Sequence, residues 1–193
     1  MAIRRVLTYG EKSLREKSKE VHKVSKKIHD LVKDLLDTLY SQNGVGLAAP
    51  QIGENYRIFV IDTASGDEPL KPMVFINPKI IKKSGAFVSH EGCLSFPDVY
   101  VDVRRYSNVM IKALDRSGRS FVVEATDETL LVKALQHEFD HLDGILFIDH
   151  ARNRFDVEKE LSQKHLPPLE IDKMIDESQL EEQIKSKLTG ECK

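Results

Sequence analysis

Only two cysteines, Cys93 and Cys192, occur in 193 residues. That excludes a disulfide framework and fits a reducing compartment, so a cytoplasmic location is expected. No apolar run is long enough to span a bilayer, and no membrane association is expected. Met1-Ala2-Ile3-Arg4-Arg5 carries two arginines with no apolar stretch after them, so a secretory signal is not expected. An excess of one charge is also missing. A net charge of −2 with 31% charged residues argues against direct nucleic-acid binding. Internal repeats and low-complexity tracts are absent, and the length suits one domain with an appendage.

The elements that are present follow clear periods. Ile28, Leu31, Val32, Leu35, Leu36 and Leu39 fall at helical spacing behind a candidate N-cap, Ser25, and Asn43-Gly44 stops the run. Ile58-Phe59-Val60-Ile61 reads as a buried strand. Met73 to Ile76 reads as another, ending at Asn77-Pro78, and Val99 to Val103 is β-rich. Val109 to Leu114 and Ser120 to Ala125 flank the turn Asp115-Arg116-Ser117-Gly118 as a hairpin. A further helix, capped by Thr126, closes at Gly144. Strands mostly precede that helix and are joined by short turns, which is an α+β order. We expect mostly antiparallel sheets packed around this central helix, an N-terminal amphipathic helix, and a C-terminal helix or tail.

The central helix carries His137-Glu138-Phe139-Asp140-His141. Histidines four apart stack on one face, one turn above the other, so both rings can reach one metal ion with the Glu at the edge of the site. Two His ligands beside a carboxylate point to metal-assisted hydrolysis. A catalytic site of this type takes three protein ligands and keeps one position open. A third His three residues after Gly144 would suit one large class of metalloproteases, but position 147 is Phe. Glu158 and Glu160 lie in a charged run that reads as a solvated helix face. Cys93, in Glu91-Gly92-Cys93-Leu94-Ser95, is the remaining soft ligand in the body of the chain, and a metal would hold it as thiolate. In Gly44-Val45-Gly46-Leu47-Ala48-Ala49-Pro50-Gln51, small residues leave room for a substrate backbone. It is not a phosphate loop, because no Lys-Ser/Thr pair follows the glycines.

These three segments, GVGLAAPQ at 44–51, EGCLS at 91–95 and QHEFDHLDG at 136–144, together resemble the peptide deformylase family. The resemblance spans residues 3 to 165 and extends to Leu14-Arg15 and Arg105. It implies that Cys93, His137 and His141 hold one divalent metal, with Fe(II) expected and Zn, Ni or Co able to substitute. It implies that Glu138 is the general acid/base. Gln51 and the backbone N–H of Leu94 would form the oxyanion hole, and Gly46 would offer backbone contacts to the peptide. The implied substrate is the N-formyl-methionyl end of a nascent peptide, and the implied product is formate.

Leu130 and Ala134 precede His137 by seven and three positions, on or near its face, and with Val45 could line a slot for the methionine side chain. Ser89 and Tyr100 are candidates for the rim. Glu91 reads as paired with Arg105 across adjacent strands, and His90 as hydrogen-bonded rather than ligating. Two positions depart from the family pattern. Gly10-Glu11 replaces the usual Pro-Asp pair, which is expected to loosen the first turn, and Phe96 stands where smaller apolar residues also occur. The catalytic domain is read as residues 1–165. Residues 166–193 form an extension behind Pro167-Pro168, with seven acids and four lysines. Ile171, Ile175, Leu180, Ile184 and Leu188 could form one apolar helix edge there. It would pack on the body, pair with another copy or stay mobile, leaving a monomer or a dimer. The family also allows a transient ribosome contact, although an acidic tail departs from the basic docking helix some members use.

Overall fold

The computed structural model describes residues 2–64 and 68–189. Its elements are α1 (Lys26–Ser41), β1 (Gly46–Ala48), β2 (Ile58–Ile61), β3 (Met73–Ser84), β4 (Phe87–Cys93), β5 (Phe96–Arg105), β6 (Asn108–Leu114), β7 (Ser120–Ala125), α2 (Leu130–Leu142), α3 (Arg154–Gln163) and α4 (Ser178–Thr189). The class is α+β. Five strands form one sheet in the order β1-β2-β3-β6-β7, and β4 and β5 form a separate pair. Every pairing between these strands is antiparallel.

The unbroken apolar run of β2 has a direct structural cause. Ile58 and Val60 pack with Ile28, Leu31, Val32, Leu35 and Leu39 of α1. Phe59 and Ile61 face the other way and pack with Val132, Ala134 and Leu135 of α2. A strand covered on both faces needs no polar alternation. Each large apolar side chain buried this way contributes roughly 1.5–3 kcal/mol before the entropy of ordering is subtracted. A third cluster joins Val99, Val101 and Val103 of β5 to Phe147, Ile148, Val157 and Leu161.

Several local expectations need correction. Ser25 is the N-cap of α1, but its side chain makes no capping hydrogen bond. α2 is capped by Thr129, whose side chain accepts from the Val132 N–H at 3.4 Å, and not by Thr126. Asp127 and Glu128 adopt left-handed φ of 64° and 58°, which turns the chain once more before the helix can begin. β3 does not end at Asn77-Pro78 but continues to Ser84 through a register shift between Ile76 and Lys79. A proline is tolerated at such an irregularity because no ladder donor is demanded there. The Asn77 side chain fills the break, accepting from Val21 N–H and donating to Val21 C=O, each at 2.8 Å. Gly10-Glu11 does not loosen the first turn. Glu11 Oε1 accepts from the Thr8 N–H at 2.8 Å, and a Cβ at Gly10 would lie 2.7 Å from Pro167 Cγ.

The C-terminal segment lies on the body. Leu169 joins the third cluster, while Leu180 and Ile184 of α4 pack on Ala86, with Val88 and Tyr106 alongside. The expected single apolar edge is therefore divided. Ile171 is 54% exposed and lies outside α4. The side chain of Leu188 and all of Cys192 fall outside the described residues. Glu181 ties α4 to the body, accepting from Arg104 Nε at 2.8 Å and from Arg152 at 2.7 Å. The hydrogen bond from Arg152, with Arg104 beside it, overcomes partial burial and holds this carboxylate down at about 2.

A depressed carboxylate stabilises above its unfolded value and stops doing so as pH falls through its folded value. The protection of α4 amides against hydrogen exchange, corrected for intrinsic rates, should exceed that in Glu181→Gln at neutral pH. The difference should close between about pH 4.5 and 2. Equal protection in the two proteins at neutral pH would rule out this tether.

Candidate active site and metal centre

Three elements meet at one cleft. β4 ends at Cys93, the glycine-rich segment supplies β1 and Gln51, and α2 presents His137, Glu138 and His141. One ligand atom each from Cys93, His137 and His141 lies within 4.8 Å of the others, and Cys93 Sγ is 3.4 Å from His141 Nε2. His137 Nδ1 is 3.1 Å from Glu91 Oε2, which leaves Nε2 for the Cys93 side. A thiol and two imidazoles are a donor set for a soft or borderline divalent metal. Glu158 and Glu160 are not part of this group.

Glu138 lies beneath β1. It is buried, and its Oε2 has no hydrogen-bond partner. A Cβ on Gly46 would collide with Glu138 Oε1 and come within 2.8 Å of Cδ, so only glycine lets the carboxylate rest against the strand. A buried carboxylate oxygen without a donor is costly unless something polar or cationic faces it. The donor set and this orphaned oxygen together fit a bound metal and its water.

The electrostatics agree. Burial pushes Glu138 up to about 7, with Glu91 and Asp140 adding to the rise and His137 opposing it. Burial and the neighbouring His137 drive His141 well below its ordinary value, so this ring is neutral, the form that ligates. Burial works the other way on His137, but Cys93 and Glu91 outweigh it and raise that ring well above its ordinary value. Ligation needs both rings neutral and the thiol deprotonated.

Behind these donor groups is a buried charge frame. Arg105 donates to Glu91 from Nε at 3.0 Å and from a second nitrogen at 2.8 Å, and it also donates to Asp140 on α2. Despite burial, Arg105 and His137 hold Glu91 well below the usual carboxylate range. The expected Glu91–Arg105 pair is thus present, and Glu91 meets the ring of His137 without joining the donor set. His90 is exposed and bonded to Asp102 at 2.8 Å.

Gln51 is buried. Its Oε1 accepts from the Ala48 N–H at 2.8 Å, which turns Nε2 toward Cys93 Sγ at 3.4 Å and Ser95 Oγ at 3.3 Å. The cleft measures about 530 Å³, and Val45, Gly46, Leu94, Leu130 and Ala134 all line it. Phe96 and Tyr100 also line it, whereas Ser89 does not. Ser89 is fully buried because β4 alternates, turning Ser89 inward on the same face as Glu91. Sequence reasoning missed Lys133 and Ser95. Lys133 lines the cleft one helical turn before His137, a spacing that could have revealed it.

The family model described as polypeptide deformylase matches residues 3–156. This chain belongs to that family. A relative, peptide deformylase 1 of Clostridium perfringens, is 47% identical over 150 residues, covering 78% of this chain and 99% of its own. The peptide deformylase of Caldicellulosiruptor bescii is 46% identical, covering 85% and 94%. Among solved structures, a Synechococcus elongatus peptide deformylase in complex with actinonin superposes with a TM-score of 0.82. It shares 37% identity over 89% of this chain and 91% of its own. A Met-Ala-Ser-bound deformylase from Acinetobacter baumannii has a TM-score of 0.71 and 30% identity, covering 77% and 98%. The deformylase is a metal-dependent hydrolase that removes the N-terminal formyl group from nascent polypeptides.

Replacing Gly46 by Ala should displace the Glu138 carboxylate while leaving the three donor atoms of Cys93, His137 and His141 in place. The expected outcome is full metal content with formate release reduced by roughly 100-fold or more, the scale on which a positioned proton-transfer group acts. Undiminished release would mean that Gly46 is not what seats Glu138.

Proposed function

We propose that Cys93, His137 and His141 hold one divalent metal, that Glu138 is the general acid/base, and that Gln51 with the backbone N–H of Leu94 receives the oxyanion. The observation that carries this reading is the convergence of the three donor atoms beside the unpartnered oxygen of Glu138. By the family resemblance the metal is Fe(II), with Zn, Ni or Co able to replace it. A bound divalent ion supplies an activated water and polarises the formyl oxygen. Glu138 takes the proton that the attacking water sheds and passes it to the leaving nitrogen. A carboxylate raised to about 7 by burial is suited to both transfers near neutral pH. The Gln51 amide, held by Ala48, supplies a fixed donor where negative charge develops. Such a donor is worth about 2.7–4 kcal/mol of barrier.

The substrate reading follows from the walls of the cleft. β1 is an edge strand of the five-stranded sheet, so the outer backbone groups around Gly46 are available to an extended peptide. Val45, Leu130 and Ala134 would receive the methionine side chain. α2 is then the central ligand-bearing helix, residues 1–165 the catalytic unit and 166–193 an extension of it. The site of action is the cytoplasm, on chains newly made.

The direct test is formate release from formyl-Met-Ala-Ser by anaerobically prepared protein, with metal content measured in the same samples. Rapid release is expected from the parent, and little from a metal-replete Glu138→Gln. Cleavage within the peptide without formate release would replace this reading by an endopeptidase. Gln51→Leu should lower kcat about 100-fold with little change in KM. A raised KM at unchanged kcat would remove Gln51 from the oxyanion role.

A further inference from the structure

The charge frame behind the metal ligands does not stop at the catalytic body. Asp140, which accepts from Arg105, also lies 3.1 Å from His150 Nε2. His150 closes the short 3-10 turn Phe147–His150 and is nearly buried. Its other nitrogen, Nδ1, lies 2.8 Å from Glu177 Oε1. Glu177 immediately precedes α4 in the C-terminal extension, beyond the residues 3–156 that match the family model.

The result is a series of neighbouring groups of alternating charge, from Glu177 through His150, Asp140, Arg105 and Glu91 to the ring of His137, in which His150 Nε2 meets Asp140 as a charge contact without a hydrogen bond. Its members are mostly buried, with side-chain exposures of 9% for Glu177, 11% for His150 and 2% for Arg105. Burial works against a charged His150, but Asp140 and Glu177 outweigh it, with Arg105 opposing, and hold the ring up at about 9. A charged His150 with Asp140 alone would draw that carboxylate toward itself and away from Arg105. Glu177 supplies the second anion and shares the imidazolium. The extension is also fixed at this point by its backbone, since Ile175 N–H donates to Asp149 C=O at 2.9 Å.

We propose that Glu177 is a positioning residue for the metal centre. By anchoring His150 it keeps Asp140 on Arg105, Arg105 on Glu91, and Glu91 on the ring of His137. The extension is then a working part of the active-site frame. This inference rests on the reading of Cys93, His137 and His141 as metal ligands. Outer groups that orient a ligand directly alter metal affinity by about 10–100-fold, so a group further along the series should have a smaller effect.

The test uses the full chain and Co(II) as probe, comparing the parent with Glu177→Gln and Glu181→Gln. Glu181 tethers the same helix through Arg104 and Arg152 but has no place in the series. Chelator competition gives the Co(II) dissociation constant, and the visible d–d spectrum reports ligand geometry. Glu177→Gln should weaken Co(II) binding by about threefold to tenfold and shift the spectrum, while Glu181→Gln should match the parent in both. Equal effects of the two substitutions would reduce Glu177 to a tether and overturn the proposal. So would a Glu177→Gln protein with parental affinity and spectrum. A parent that binds no Co(II) would instead overturn the ligand assignment itself, which keeps the two failures apart.

Discussion

Arg105 holds a full charge with 2% of its surface open to solvent, and the site depends on it. The β4-β5 pair is separate from the five-stranded sheet, so main-chain ladders do not fix Cys93 relative to α2. Arg105 makes that link. It reaches from β5 to Glu91 on β4 and to Asp140 on α2, joining the strand that bears the thiol to the helix that bears both imidazoles. Stranding one member of a buried ion pair typically costs about 3–5 kcal/mol, far more than the net gain from making the pair. The arrangement is therefore poor at adding stability and good at forbidding alternatives. Two carboxylates and one guanidinium are mutually satisfied in one relative placement of strand and helix.

A second constraint is the distance of closest approach. Glu138 can rest against β1 only because Gly46 has no side chain, and Gly144 allows the end of α2 to come up against the Arg15 backbone, where a Cβ would lie 2.7 Å from the Arg15 carbonyl carbon. Gly144 also takes a left-handed φ of 72°, which ends the helix. α2 is thus bounded, both at the face that bears Glu138 and at its terminus, by positions where any side chain would intrude.

Much of the fold and the site is legible in the residues themselves. The helical spacing of Ile28 to Leu39, the doubly apolar Ile58–Ile61 and the hairpin turn at Asp115–Gly118 each have a single local cause, and each element forms where its cause places it. The three motif segments are legible because the resemblance ties them together, and their side chains meet in space. Legibility fails where tertiary contacts override local preference. Two consecutive left-handed residues, Asp127 and Glu128, delay α2 by three positions, and propensity gives no warning of them. Pro78 ends most strands, yet the bulge beside it lets β3 continue. The alternation of β4, by contrast, could have placed Ser89 inside, since it shares parity with Glu91. His150 carries no motif at all, and only folding brings it to Asp140.

The two-sided burial of β2 has a consequence for how the chain acquires its structure. During synthesis, the face formed by Ile58 and Val60 can be covered at once, because α1 has already been made. The face formed by Phe59 and Ile61 has to wait until Leu130–Leu142 emerges. A short, wholly apolar strand is then bare on one side for much of translation, and its closure depends on contacts distant in sequence, which form slowly. This enzyme acts on chains that have just been made, and its own nascent form keeps an apolar face uncovered until α2 arrives, the kind of exposure that favours aggregation.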